Sequence, residues 1–207
     1  MDLHPFIEAS RRYGSDSEMV LAGGGNTSVK EGDFLYVKAS GTGLSVIDAP
    51  GFVKMRMDAL QAVWDKQYPE DPDAREEAVL SDMMAARAEG EAARPSVEAL
   101  LHSLIPEKFV FHLHPALVNG LTCARQGEKH IQQFFGKRAL WVPLVNPGYI
   151  LAKTVRESAA LHEKQFSVHP SLIFLQNHGI FVGGETIAEI DSLYDEVIKT
   201  LKGSLSR

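Results

Sequence analysis

Residues 109–115 read Phe-Val-Phe-His-Leu-His-Pro, an apolar run that carries two histidines one residue apart and is closed by a proline. On a β-strand, successive side chains alternate between faces. His112 and His114 therefore stand side by side on one face, while Phe111 and Leu113 point the other way, into a core. Two imidazoles presented this way can grip one ion through their ring nitrogens. Alone, such a pair is more often two surface histidines than two ligands, so the reading depends on what the rest of the chain brings to it.

Upstream, Ser96 reads as the N-cap of a helix running through Leu104. That places Glu98 in the helix's first turn, just ahead of the histidine strand, as the natural acidic partner. His102 lies four residues after Glu98 on the same helix face, where it can support the ligands from behind. Downstream, helices are expected around 116–125 and 128–135, a strand from Leu140 to Val145, and a helix over 149–165. Strands at Leu172–Gln176 and Ile180–Val182 flank a turn at Asn177-His178-Gly179, and a last helix covers 186–202. His178, at the end of an apolar strand and followed by glycine, is the best candidate for a third histidine ligand. Zinc takes about four ligands, and catalytic sites leave one position for water or substrate. His4, His130, His162 and His169 read as structural or solvated.

Nearer the start, a short helix is expected over 3–13. A tight turn at Gly23-Gly24-Gly25-Asn26 leads into a strand at Thr27–Lys30. A second strand at Phe34–Ala39 ends in a glycine-rich turn, Ser40-Gly41-Thr42-Gly43. A helix rich in Ala, Met and Glu covers 74–89. The polar stretch from Tyr68 to Arg75 reads as a surface loop within one domain, and Glu89–Pro95 is a second break. Strands and helices are mixed without strict alternation. That favours a layered α/β domain with a mixed sheet over a regular doubly wound one, formed by residues 1–207 as a single unit.

The glycine-rich turns offer backbone N–H groups with little obstruction, and a helix opening at Ser96 adds a favourable dipole. Together they suggest a cradle for a phosphate. Neither turn fits the G-x-G-x-x-G or G-x-x-x-x-G-K patterns, so no dinucleotide or ATP is expected.

The 207 residues are 44% hydrophobic and 23% charged, an ordinary globular composition. The formal net charge of -6 works against binding nucleic acid or an anionic membrane. A single cysteine, Cys123, leaves no internal disulfide, which fits a reducing cytosol. No basic region followed by an apolar stretch opens the chain, and no apolar run approaches the ~20 residues that span a bilayer. A cytoplasmic protein is expected.

The motifs GNTS, ASGTG, PSVE, HLHP and QNHG, in this order from about Gly23 to Thr186, resemble the class II aldolase/adducin family, of the fuculose- and rhamnulose-phosphate aldolase type. The resemblance implies a three-layer α/β/α domain with a mixed, mostly antiparallel central sheet. It also implies a homotetramer with active sites near subunit interfaces. By the same resemblance His112, His114 and His178 are the ligands of a zinc or other divalent ion, and Glu98 both ligates and acts as acid/base. Gly25, Asn26, Ser40, Gly41 and Ser96 match phosphate-binding positions. Val97 departs from the pattern, since the family's aldolases often have a second serine there. Tyr149 and Tyr194 are the candidates for the family's tyrosine acid. The activity implied is cleavage of a ketose 1-phosphate to dihydroxyacetone phosphate and a short aldehyde, through a zinc-stabilised enediolate. Sugar-phosphate 4-epimerases, a dehydratase and non-catalytic adducin-like binding modules share the same resemblance.

Overall fold

The structure is a computed structural model describing residues 2–20 and 24–205; Gly23, the first residue of the expected tight turn, lies outside them. Seven strands form one sheet: β1 (Asn26–Glu31), β2 (Phe34–Lys38), β3 (Phe52–Arg56), β4 (Phe109–Leu113), β5 (Ala139–Val142), β6 (Leu172–Leu175) and β7 (Gly179–Gly184). Their spatial order is β3-β2-β1-β4-β7-β6-β5. Every pairing is antiparallel except β5 with β6. The expected mixed, mostly antiparallel sheet is present.

Helices cover both faces, completing the three layers. On one face Phe6, Ala9 and Tyr13 of α1 (His4–Ser15) pack with residues of α5 (Ala116–Thr122), α6 (Gly127–Phe135) and α8 (Ile187–Leu205). On the other, α2 (Met57–Ala62), α3 (Pro72–Ala85), α4 (Ala99–Leu104) and α7 (Tyr149–Phe166) bury Leu60, Met83, Leu101 and Val155. Because both faces are covered, the inner strands β6 and β7 are apolar in every position rather than alternating. β6 is Leu-Ile-Phe-Leu, with Leu172 and Phe174 in the first core and Ile173 and Leu175 in the second.

Several boundaries differ from the sequence expectation, each for a physical reason. The strand beginning near residue 140 stops at Val142, ahead of Pro143, which has no N–H for the ladder. The helix expected over 74–89 is Pro72–Ala85. The Asp71 side chain caps its start by accepting from the Ala74 N–H at 2.9 Å. Past its end, Ala86 and Ala88 bond to the β3 backbone. The edge strand β3 and the short α2 have no counterpart in the sequence reading. Ser96 does not cap a helix: α4 starts at Ala99 with Glu98 in the capping position, so the expected helix start at Ser96, with its anion-favouring dipole, is absent.

No helix among the described residues is long and apolar enough to cross a membrane.

Candidate metal centre

His112 lies on β4 and His114 directly past its end, with their rings 4.7 Å apart, and Phe111 and Leu113 enter the α1/α5/α8 core. The histidine face is not a solvent face. Val110, two residues before His112, is fully buried against the α2/α3/α4/α7 layer, and His112 itself is only 1% exposed. Its ring stacks on Phe181, its cross-strand neighbour on β7, with centroids 3.9 Å apart and planes 14° from parallel.

His178 arrives on the β6–β7 turn. The turn is made by Asn177, whose φ is +58, an αL value that Asn tolerates better than most residues. Gly179 serves close approach instead of turn conformation. A Cβ there would lie 2.6 Å from both the Leu113 carbonyl oxygen and the His114 ring, so only glycine lets β7 come this near His114.

The three imidazoles converge. His112 Nε2 lies 2.9 Å from His114 Nε2 and 3.3 Å from His178 Nε2, and the three possible ligand atoms all fall within 4.8 Å of one another. Glu98 Oε1 lies 3.3 Å from His112 Nε2 and 3.9 Å from His178 Nε2. Ligands at Zn–N distances of ~2.0–2.1 Å around a tetrahedral ion sit about 3.3–3.4 Å apart, so these separations fit one ion with little adjustment.

The protonation states fit as well. Burial, reinforced by His114 and His178, holds the His112 imidazolium well below its ordinary pKa. Burial followed by His178 lowers His114 too. Both rings are therefore neutral, the form that ligates metals. His112 Nδ1 lies 3.1 Å from the Ile180 carbonyl oxygen, which can only accept, so Nδ1 carries the proton. Nε2 then presents a lone pair to the centre. With His112 neutral, the approach of Glu98 is not an ion pair but the spacing of two donors around a common point. Several acceptors aimed at one place leave mutual repulsion that a divalent cation would relieve.

The carboxylate of Glu98 is held from behind. Oε1 faces the histidines, while Oε2 accepts from Asn26 Nδ2 at 3.2 Å. Asn26 pairs across the sheet with His112 and also donates to Ser96 Oγ at 2.6 Å. Ser96 Oγ in turn accepts from the Glu98 N–H at 3.2 Å. Ser40 and Gly41 reach the same neighbourhood through the bridge between Ala39 and Pro95 and the bond from the Ser40 N–H to the Arg94 carbonyl. Both are exposed. Gly25, with φ +79, precedes Asn26, and a Cβ there would meet Leu44 at 2.9 Å and crowd Val20 and Leu113.

One residue absent from the sequence reading is Lys38, 7% exposed. Its ammonium donates to the Thr42 carbonyl at 2.7 Å and the Ala39 carbonyl at 3.4 Å, beneath the Ser40–Gly43 turn. Burial lowers its pKa, and the charge of Glu98 opposes that shift. A lysine ending an apolar strand just before a glycine-rich turn was the available signal.

Tyr194 is not placed as an acid at the centre. Tyr194 is 1% exposed on the opposite face and donates to the Phe111 carbonyl at 3.0 Å, with its pKa pushed well up by burial. Tyr149 packs among Trp64 and Tyr68, and its N–H donates to Glu76.

A three-layer sheet with three histidines and a glutamate meeting at the ends of its central strands defines a class of protein, and a comparison of sequences agrees. The family model for the class II aldolase and adducin N-terminal domain matches residues 5–202, and the chain belongs to that family. Its aldolases are metal dependent. Among solved structures, the N-terminal class II aldolase domain of a conserved Thermoplasma acidophilum protein is 30% identical. It superposes with a TM-score of 0.81 over 99% of this chain and 94% of that one. An L-fuculose-1-phosphate aldolase from Thermus thermophilus, at 18% identity, shares the fold with a TM-score of 0.61 over 98% of this chain and 94% of its own. A Bacillus subtilis protein described as the uncharacterized oxidoreductase YuxG is 33% identical over 189 residues, 87% of this chain. The chain spans only about a quarter (26%) of that protein's length.

Proposed function

We propose that the chain is a metal-dependent aldolase that cleaves a ketose 1-phosphate to dihydroxyacetone phosphate and a short aldehyde. The observation that carries this reading is the convergence of His112, His114 and His178 with Glu98 Oε1 on one point. His112, His114 and His178 would hold the ion, zinc or another divalent metal that histidine and carboxylate suit, with Glu98 beside them. When bound, the ion supplies Lewis-acid stabilisation of the negative charge left on the three-carbon fragment as the carbon–carbon bond breaks. Glu98 moves the proton at the carbon released by that cleavage. Asn26 keeps Oε2 turned away from the histidines, so Oε1 stays at the centre, where it would meet the substrate carbon once off the ion. The phosphate is assigned to the exposed Ser40–Gly41 turn, with Gly25, Asn26 and Ser96 at its inner edge and the Lys38 charge beneath it.

Assembly as a homotetramer in the cytoplasm is part of this reading. Val97 and Leu144, 44% and 60% exposed, support it. They are large apolar side chains on the segments next to Glu98 and beside His178, where a neighbouring copy would cover them. The full ligand set speaks against a non-catalytic adducin-like module, for which three converging histidines serve no purpose.

Val97 favours a second reading. A valine gives no hydroxyl to a phosphate beside Ser96, which suits an epimerase or dehydratase, or a substrate without phosphate, better than an aldolase that depends on that contact. Proton exchange at dihydroxyacetone phosphate in heavy water, followed by NMR, separates the two. Exchange that chelator and Glu98→Gln both abolish supports the aldolase. A folded, metal-loaded protein that exchanges nothing rejects it.

A further inference from the structure

His102 is fully buried, a polar side chain in the α2/α3/α4/α7 layer. Its Nδ1 shares a 2.7 Å hydrogen bond with Ser28 Oγ, and its Nε2 has no partner. Its ring meets Phe181 nearly edge-on, at 5.3 Å and 68°, which allows an N–H to face an aromatic π cloud. Phe181 carries His112 on its ring, as described above. A buried histidine that takes part in no step of the proposed reaction costs stability, because it must stay neutral and leave a ring nitrogen unpaired.

Its place in the fold accounts for it. On β1, Asn26 and Ser28 are two residues apart and share a face. On the segment opposite, Glu98 and His102 are one helical turn apart, joined by the bond from the His102 N–H to the Glu98 carbonyl at 3.0 Å. Asn26 bonds the Glu98 carboxylate and Ser28 bonds the His102 ring. These are two rungs between the same strand and the same helix start. α4 has only six residues and no side-chain cap, so it contributes little rigidity of its own. We propose that His102 is a positioning residue: locked to Ser28 and seated against Phe181, it fixes α4 over β1 and so holds the Glu98 carboxylate at the three histidines. The inference rests on reading those four residues as one metal centre.

The test is a double-mutant cycle read as Zn2+ affinity, by competition with a chromophoric chelator, on the whole chain. H102L weakens zinc binding about 10- to 100-fold, as loss of an outer partner of a metal ligand does. H102N, which keeps a polar atom near the Nδ1 position, restores most of it. In the E98Q background H102L costs less than about 2-fold, because the residue through which it acts is gone. Equal losses in both backgrounds, or full affinity in a folded H102L protein, overturn the proposal. If H102L does not fold, S28A removes the same rung and is expected to weaken binding several-fold, less in E98Q. If the unaltered chain binds no zinc, the metal reading fails by itself. The Glu98 carboxyl 13C resonance of the metal-free protein, assigned with E98Q, then decides: H102L shifts or broadens it if His102 positions the carboxylate, and an unchanged resonance refutes that role.

Discussion

Acidification is the perturbation whose size the structure sets most directly. In the unfolded chain His102 takes up a proton near its ordinary pKa of 6.5, whereas burial in the fold pushes it down to about 3. Between those values the unfolded chain binds the extra proton, so stability falls as pH falls and is complete above about 6.5. Each such group contributes a slope of about 1.4 kcal/mol per pH unit, so His102 alone removes roughly 2 kcal/mol between pH 6 and 4.5. His112 and His114, also lowered by burial, act in the same direction. The assay is guanidinium unfolding in the presence of chelator at a series of pH values, followed by circular dichroism and tryptophan fluorescence. H102N carries no titrating group, and carboxylates contribute alike to both proteins. The variant's stability should therefore fall less steeply, by about 1.4 kcal/mol per pH unit between pH 5.5 and 4.5. Identical slopes would refute the claim that His102 is held neutral in the fold.

Three further outcomes are expected. H112A should keep its far-UV circular dichroism yet lose zinc affinity by more than the ~10–100-fold that an outer partner costs; isothermal titration in both proteins checks this. G179A should lose about 1–3 kcal/mol of stability from overpacking and bind zinc more weakly, because the added methyl would meet the Leu113 carbonyl and the His114 ring at 2.6 Å; unfolding midpoints and zinc titration measure both. Y194F removes a hydroxyl that donates to the buried Phe111 carbonyl and should cost about 0.5–1.5 kcal/mol, with zinc affinity and proton exchange unchanged. A tenfold fall in exchange would return Tyr194 to a catalytic role.

Local geometry made part of this protein legible in its sequence. Strand parity places His112 and His114 on one face whatever the rest of the chain does, and the shared resemblance of five short motifs carried His178 and Glu98 to the same centre. Elements with strong periodicity, such as the 149–165 helix, appear as expected at Tyr149–Phe166. The edge strand β3 was not legible, because it runs straight into α2 with no turn to mark its end. Nor was the start of α4, since a serine three residues before a helix looks the same as one that caps it.

The sequence by itself therefore determined which side chains share a face and which motifs belong together, since those follow from dihedral periodicity along one segment. Only the tertiary structure decided that the histidine face is buried, that Asn26 lies across from His112 and turns Glu98 toward it, that Lys38 sits under the Ser40 turn, and that His102 is sealed between Ser28 and Phe181. Apart from the contact of Lys38 with the Thr42 carbonyl, which spans four residues, these pairings join residues about 70 to 90 positions apart in the chain or depend on a second layer of helices closing over the sheet. No periodicity within one segment encodes such pairings, because they arise from the register between strands and the packing of layers, which the chain settles only when it buries both faces at once.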